Sequence, residues 1–113
     1  MKLSQHQQTF TRNIALLILR ANTLGVNLTF GEAYRTKEQE ALYVKEGKSK
    51  TMNSYHLKRL AVDFNFFIDG ELLLRHPSIS LLGNYWESLD LLNNWGGHFN
   101  HFYDGGHFER SVK

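Results

Sequence analysis

The segment from Ser54 to Gly70, SYHLKRLAVDFNFFIDG, decides how the rest of the chain is read. From its middle onward, Ala61, Asp63, Asn65 and Phe67 alternate with Val62, Phe64, Phe66 and Ile68, the period-two pattern of a strand with one face more apolar than the other. Asp69-Gly70 then ends it as a two-residue hairpin turn. Asp63 is thereby placed inside a strand, on its more polar face. A carboxylate flanked by Val62, Phe64 and Phe66 is costly unless it is paired or coordinates a metal, so Asp63 needs a cationic partner. His56 stands seven residues before it.

Working outward, Ser4 and Gln7 have the spacing of a capping box. They predict a helix whose apolar stripe is Phe10, Ile14, Leu17, Ala21 and Leu24 and whose stop is Gly25. Val26, Leu28 and Phe30 alternate with Asn27, Thr29 and Gly31 and predict a half-buried strand running straight to Glu32 and Arg35. Thr36 and Gln39 form a second capping box, opening a short helix through Glu40, Ala41, Leu42 and Tyr43 that ends by Gly47. Lys45 to Asn53 reads as a polar loop. Downstream, Asn84 and Glu87 predict the cap of a third helix carrying Tyr85, Trp86, Leu89 and Leu92, ending near Asn93 and Asn94. Trp95 then starts a last strand region, in which Gly96-Gly97 and Gly105-Gly106 punctuate a stretch rich in aromatics and histidines. This pattern predicts an α+β fold, a central antiparallel sheet flanked by helices.

A chain of 113 residues builds one hydrophobic core, so residues 1–113 are expected to form a single domain. Apolar residues make up 42% and aromatics 13%, a globular composition far from that of disordered chains. There are no cysteines, which excludes disulfides and leaves any metal site to His, Asp and Glu. The apolar run Ile14 to Leu19 is short, starts late, is followed by Arg20 and lacks a small-residue cleavage pattern, so no signal peptide is expected. No stretch approaches the roughly 20 apolar residues of a membrane helix, and synthesis in the cytoplasm is expected. The net charge of +2 and pI of about 9.0 bias the protein mildly toward anionic partners and decide nothing alone.

Two groups of residues carry candidate chemistry. A catalytic zinc takes three protein ligands from His and carboxylate and keeps one position for water. The first group is Ser54 to Asp63, with its histidine and strand aspartate. The second is Asp104-Gly105-Gly106-His107-Phe108-Glu109, where a carboxylate stands three residues before a histidine across two glycines that allow a tight turn. Singly, each has a bland reading. A lone histidine is usually a surface or hydrogen-bonded residue, and Asp before Gly-Gly is an ordinary turn.

In order and spacing these groups resemble the zinc D-alanyl-D-alanine carboxypeptidases and L-alanyl-D-glutamate endopeptidases, a family that includes vancomycin-resistance enzymes and several phage endolysins. The family pattern runs Ser-x-His-x-x-Gly-x-Ala-x-Asp, then an acid-x-x-His near the C-terminus, with an arginine upstream. Here these fall on Ser54, His56, Ala61, Asp63, Asp104, His107 and Arg35, and Glu32-Ala33-Tyr34-Arg35-Thr36 and Trp95-Gly96-Gly97 also look like the family's. One position departs, since Arg59 stands where the pattern has glycine, which bears on the local turn. The resemblance implies a hedgehog/DD-peptidase-like fold, His56, Asp63 and His107 as zinc ligands and Asp104 as general base. Zinc lowers the pKa of bound water to about 7, and a nearby carboxylate can carry its proton to the leaving amine. Arg35 would stabilise the oxyanion; its bland alternative is a surface salt bridge with Glu32 or Glu38. Ser54 is expected to position His56 or the substrate and Glu109 to orient a ligand histidine. His98 and His101 flank the site in sequence and are alternative ligands to His107; the resemblance favours His107, so they are expected to line the cleft, and His6 and His76 to lie on the surface.

The function so implied is a zinc peptidase hydrolysing a peptide bond in the peptidoglycan stem, either L-Ala-D-Glu or D-Ala-D-Ala, in a phage or prophage endolysin that acts on the cell wall after release. Its expected partners are peptidoglycan peptide stems, with no nucleic acid and no stable membrane association, and it is expected to work as a monomer. The alternative is a non-catalytic binding module with a structural zinc. Asp104 discriminates, because a structural site has no use for a carboxylate beside a water position. Nucleic-acid binding rests on basic charge and scattered aromatics alone, without a recognised motif.

Overall fold

β2, Ala61–Ile68, is the centre of the molecule, and it is described here in a computed structural model covering residues 1–49 and 54–112. Its alternation is realised from Val62 to Phe66. Val62, Phe64 and Phe66 are buried, while Asp63 is half-buried and Asn65 exposed on the other face. Asp69 and Gly70 both take positive φ, 52° and 78°, as a two-residue turn requires. They return the chain into β3, Glu71–Leu73, with Ile68 opposite Glu71.

The remaining strands assemble antiparallel around β2. β1, Asn27–Phe30, pairs along one edge, Phe30 facing Phe64. On the other edge β5, His107–Arg110, takes the first part of β2 and β3 the last part. β4, Asn93–Trp95, pairs outside β5, giving the order β1-β2-β5-β4. Two helices, α1 (Leu3–Thr23) and α3 (Pro77–Leu89), supply Phe10, Leu17, Ala21, Ile79, Leu82 and Trp86 to the core shared with the apolar face of β2 and with Phe108 of β5. Trp86 meets Phe10 and Phe108 edge to face, at 5.6 and 5.8 Å between ring centroids. The third helix, α2 (Lys37–Lys45), opens on Thr36, whose side chain accepts from the Gln39 amide at 3.0 Å as its spacing predicts. No helix among the described residues is long and apolar enough to cross a membrane.

Several expectations are corrected. α1 starts at Leu3, and Gln5, not Gln7, takes up a free amide at its start, that of Lys2 at 2.7 Å. Gln7 donates instead to the Lys58 carbonyl, a tertiary partner that local spacing does not reveal. Phe30 is 67% exposed although its alternation suggests burial, because it lies on an edge strand with only Phe64 beside its ring. α3 begins seven residues before Asn84. Pro77 occupies the first turn, where its missing N–H costs nothing, and the His76 ring nitrogen accepts from the Ser78 amide at 3.1 Å. His76 is therefore a helix cap. The helix ends at Leu89, so Leu92 lies beyond it, and Asn93 and Asn94 belong to β4, which Trp95 closes instead of opening. The predicted loop Lys45 to Asn53 begins within the last residue of α2, and its positions 50–53 fall outside the described residues.

Candidate metal centre

The site lies on the sheet face opposite α1 and α3. Asp63 and His107 are register partners on β2 and β5, so their side chains emerge side by side from that face. His56 comes from a 3-10 turn, Tyr55–Lys58, just before β2. Ser54 caps this turn by accepting from the His56 amide at 3.2 Å. The turn exits through Arg59 in the left-handed region, at φ 57°, ψ 37°. That conformation accounts for the glycine of the family pattern. Here an arginine bears the cost, with its guanidinium stacked 4.1 Å from the Tyr34 ring centre.

His56, Asp63 and His107 each bring one ligand-capable atom within 4.8 Å of the others, so these three could hold a metal ion. The His56 ring is oriented by Nδ1, 2.9 Å from the Ala33 carbonyl, which leaves Nε2 3.3 Å from Asp63 Oδ2. The His107 ring is oriented oppositely, with Nδ1 3.0 Å from Asp63 Oδ1 and Nε2 2.7 Å from Glu109 Oε1. Burial alone would lower the His107 pKa. The hydrogen bonds and charges of Asp63 and Glu109 outweigh it and carry the imidazole up to about 9. Burial likewise pushes Asp63 up, but its bonds to His107 and His56 pull it well below the usual carboxylate range. A metal binding here displaces a proton that the centre otherwise holds tightly.

Asp104 and Arg35 line the same cavity of about 640 Å³ as the three converging residues, together with Ser54, Phe99, Phe102 and Glu109. Asp104 is brought in by its backbone, the amide donating to Gly96 O at 3.0 Å. A Cβ on Gly96 would stand 2.0 Å from the Asp104 carbonyl oxygen, and one on Gly106 would stand 2.5 Å from that of Phe64. Gly106 thus serves close approach to β2, while a Cβ on Gly105 would collide with the Tyr103 ring, and neither glycine takes positive φ. Burial raises the Asp104 pKa, with Asp63 nearby adding to the rise and the two imidazoles partly opposing it.

Arg35 is no surface ion pair. Its Nε bonds Glu32, and its Nη1 reaches Glu40 at 2.6 Å and the Ser54 hydroxyl at 3.3 Å. The buried partner is Glu40, fully enclosed on α2, and not Glu38. Tyr43 donates to Glu32 at 3.0 Å and also offers its ring to the guanidinium. Glu40 and Tyr43 carry no role in the sequence reading. The only signal for Glu40 is its place one turn after the Thr36 cap, facing back toward Arg35. His98 and His101 do not line the cavity; Phe99 and Phe102 do. His98 is held outside by Glu87 at 2.8 Å and by the edge of Trp95. His6 is half-buried and accepts from Arg110 Nε at 3.1 Å.

A second depression of about 270 Å³, between β3 and the loop before β5, is also lined by Asp63 and Asp104, with Leu72, Leu74 and Tyr103 on its walls. The two carboxylates therefore stand between two open spaces.

Comparison with known proteins places this geometry among peptidases. A family model described as D-alanyl-D-alanine carboxypeptidase matches residues 47–110. The chain is 34% identical over 91 residues to an L-alanyl-D-glutamate peptidase of Listeria phage A118; the match covers 79% of this chain and 32% of that protein. The chain thus spans about a third of the length of this relative. Its fold is that of the crystal structure of Serratia marcescens L-Ala D-Glu endopeptidase ChiX, with a TM-score of 0.74 at 20% identity, covering 98% of this chain and 87% of the other.

Proposed function

Because the chain belongs to the D-alanyl-D-alanine carboxypeptidase family, we propose that it is a zinc-dependent peptidase of the peptidoglycan stem that cuts between L-alanine and D-glutamate, as an endolysin made in the cytoplasm and acting on the wall after release. The observation that carries this reading is the convergence of His56, Asp63 and His107 in one cavity with Asp104 and Arg35. Two imidazoles and a carboxylate are the donor set and number of a catalytic zinc, and each ring has its other nitrogen already engaged, as ligating histidines do.

When bound, zinc supplies Lewis-acid polarisation of the scissile carbonyl and an acidified water. His56, Asp63 and His107 would hold the ion. Asp104, with its pKa raised by burial, accepts a proton and returns it to the leaving amine. Arg35, fixed by Glu32 and Glu40 at the wall of the cavity, donates to the developing oxyanion; among the described residues no hydrogen bond occupies Nη2. The L-Ala-D-Glu bond is favoured over a C-terminal D-Ala-D-Ala by the activities of both relatives and by the openings on either side of the carboxylate pair, which let a peptide run through.

Digestion of purified peptidoglycan followed by mass spectrometry tests the reading. New D-glutamate amino termini are the expected product. Released D-alanine would replace the proposed bond by the carboxypeptidase one, and an undigested wall with zinc bound would favour a structural metal.

A further inference from the structure

We propose that Glu109, backed by Ser111 and Asn94, is a positioning residue that fixes which nitrogen of His107 faces the metal. The inference rests on the metal-centre reading above and extends it outward by three side chains. His107 places Nδ1 beside Asp63 and Nε2 beside Glu109, at 3.0 and 2.7 Å. A half-turn of the ring would put carbon where each nitrogen stands, so this orientation alone serves both carboxylates. An ionised carboxylate only accepts, and Nε2 therefore carries the proton, leaving the Nδ1 lone pair for a metal.

The two histidines reach this condition by different means. His56 donates Nδ1–H to the Ala33 carbonyl, a backbone group that cannot swing away. Glu109 is a side chain with rotamers of its own and needs a hold. Its Oε2 accepts from the Ser111 hydroxyl, and that hydroxyl oxygen accepts from Asn94 Nδ2 at 2.7 Å. The register makes this chain of bonds possible. Asn94 on β4 is directly opposite Glu109 on β5, so the relay runs from β4 to β5 on the face that carries the site.

Zinc affinity of the full chain, measured by competition with a chelator at fixed pH, tests the relay. Glu109→Ala is expected to weaken binding by roughly 10- to 100-fold, the usual effect of removing a carboxylate behind a ligating histidine. Ser111→Ala, which keeps the carboxylate and removes only its support, is expected to weaken it about threefold or more. Long-range proton–nitrogen NMR of the zinc-loaded protein should show His107 metal-bound at Nδ1 and protonated at Nε2, and Glu109→Ala should broaden or exchange that pattern. Unchanged affinity in Glu109→Ala, or zinc on Nε2 in the wild type, overturns the proposal; should Glu109→Ala fail to fold, unchanged affinity in Ser111→Ala does the same. A wild type that binds no zinc fails differently, by removing the metal centre itself.

Discussion

Two charged clusters of opposite construction share one wall of the cleft. Around Asp63 a single carboxylate faces two imidazoles; around Arg35 a single guanidinium faces two carboxylates. The second cluster closes on itself. Arg35 takes Glu32 and Glu40, Ser49 takes the other oxygen of Glu40, and Tyr43 takes Glu32. The first converges, with three donor atoms turned toward a common space and the far side of each ring tied back. The Arg35 cluster is tied internally through Nε and Nη1 and so holds one guanidinium in place at the cavity wall, whereas the cluster whose donors converge is built to take an ion from outside.

The largest expected effect breaks the convergent cluster. His56→Ala should lose zinc and peptidoglycan hydrolysis together, which elemental analysis and a digestion assay read on one sample. Should the variant keep both, the ion sits elsewhere. Next comes Asp104→Ala, which leaves all three donors in place. Zinc content should stay near one per chain while turnover falls roughly 10²- to 10⁴-fold, the range for loss of a general acid–base group; loss of metal as well would make Asp104 a ligand.

Glu40→Gln attacks the self-closed cluster and should appear as stability. One hydrogen bond to a charged group is worth about 2 kcal/mol, or about 10 °C in the midpoint of a domain this size. The sign of the pH dependence follows from Glu40. Burial pushes its pKa up, but the bonds from Arg35 and Ser49 win and hold it below the ordinary 4.5. The ionised form therefore favours the fold, its contribution complete above that value and fading as pH falls through the depressed one. The deficit of the variant should be full at pH 7 and shrink below about pH 4; a constant deficit across that range would mean lost packing instead of lost charge. The smallest effect concerns Arg59. Its left-handed backbone costs a non-glycine residue about 1–2 kcal/mol. Arg59→Gly relieves that cost and loses the Tyr34 stack, whereas Arg59→Ala loses the stack and keeps the strain, so calorimetry should find the glycine variant about 1 kcal/mol more stable than the alanine one.

What the sequence made legible follows the range of the forces involved. β2 and its turn are written locally, in alternation and in a dipeptide that tolerates positive φ, and the structure reproduces them from Val62 to Phe66 and at the turn. The convergence of His56, Asp63 and His107 came from a spaced pattern, not from periodicity. Distance in sequence hid the rest. Gln7 was committed to Lys58, and Glu87 to Trp95 and His98, contacts that removed both from the caps their spacing suggested. Pro77 marks the true start of α3, yet His76, expected only as a surface residue, is an unusual cap. For Glu40 the place one turn after the Thr36 cap is a weak signal, and spacing alone does not show that Arg35 folds back to bury it.

Asp63 and His107 face each other from strands 44 residues apart. A cation bridging them would act as a removable crosslink on that long loop, present only in the folded chain. By mass action it would add about 2.7 kcal/mol to stability at a free ion concentration 100 times its dissociation constant. The thermal midpoint would then be a property of the surrounding medium as much as of the polypeptide, and a chelator would behave toward this protein as a selective denaturant.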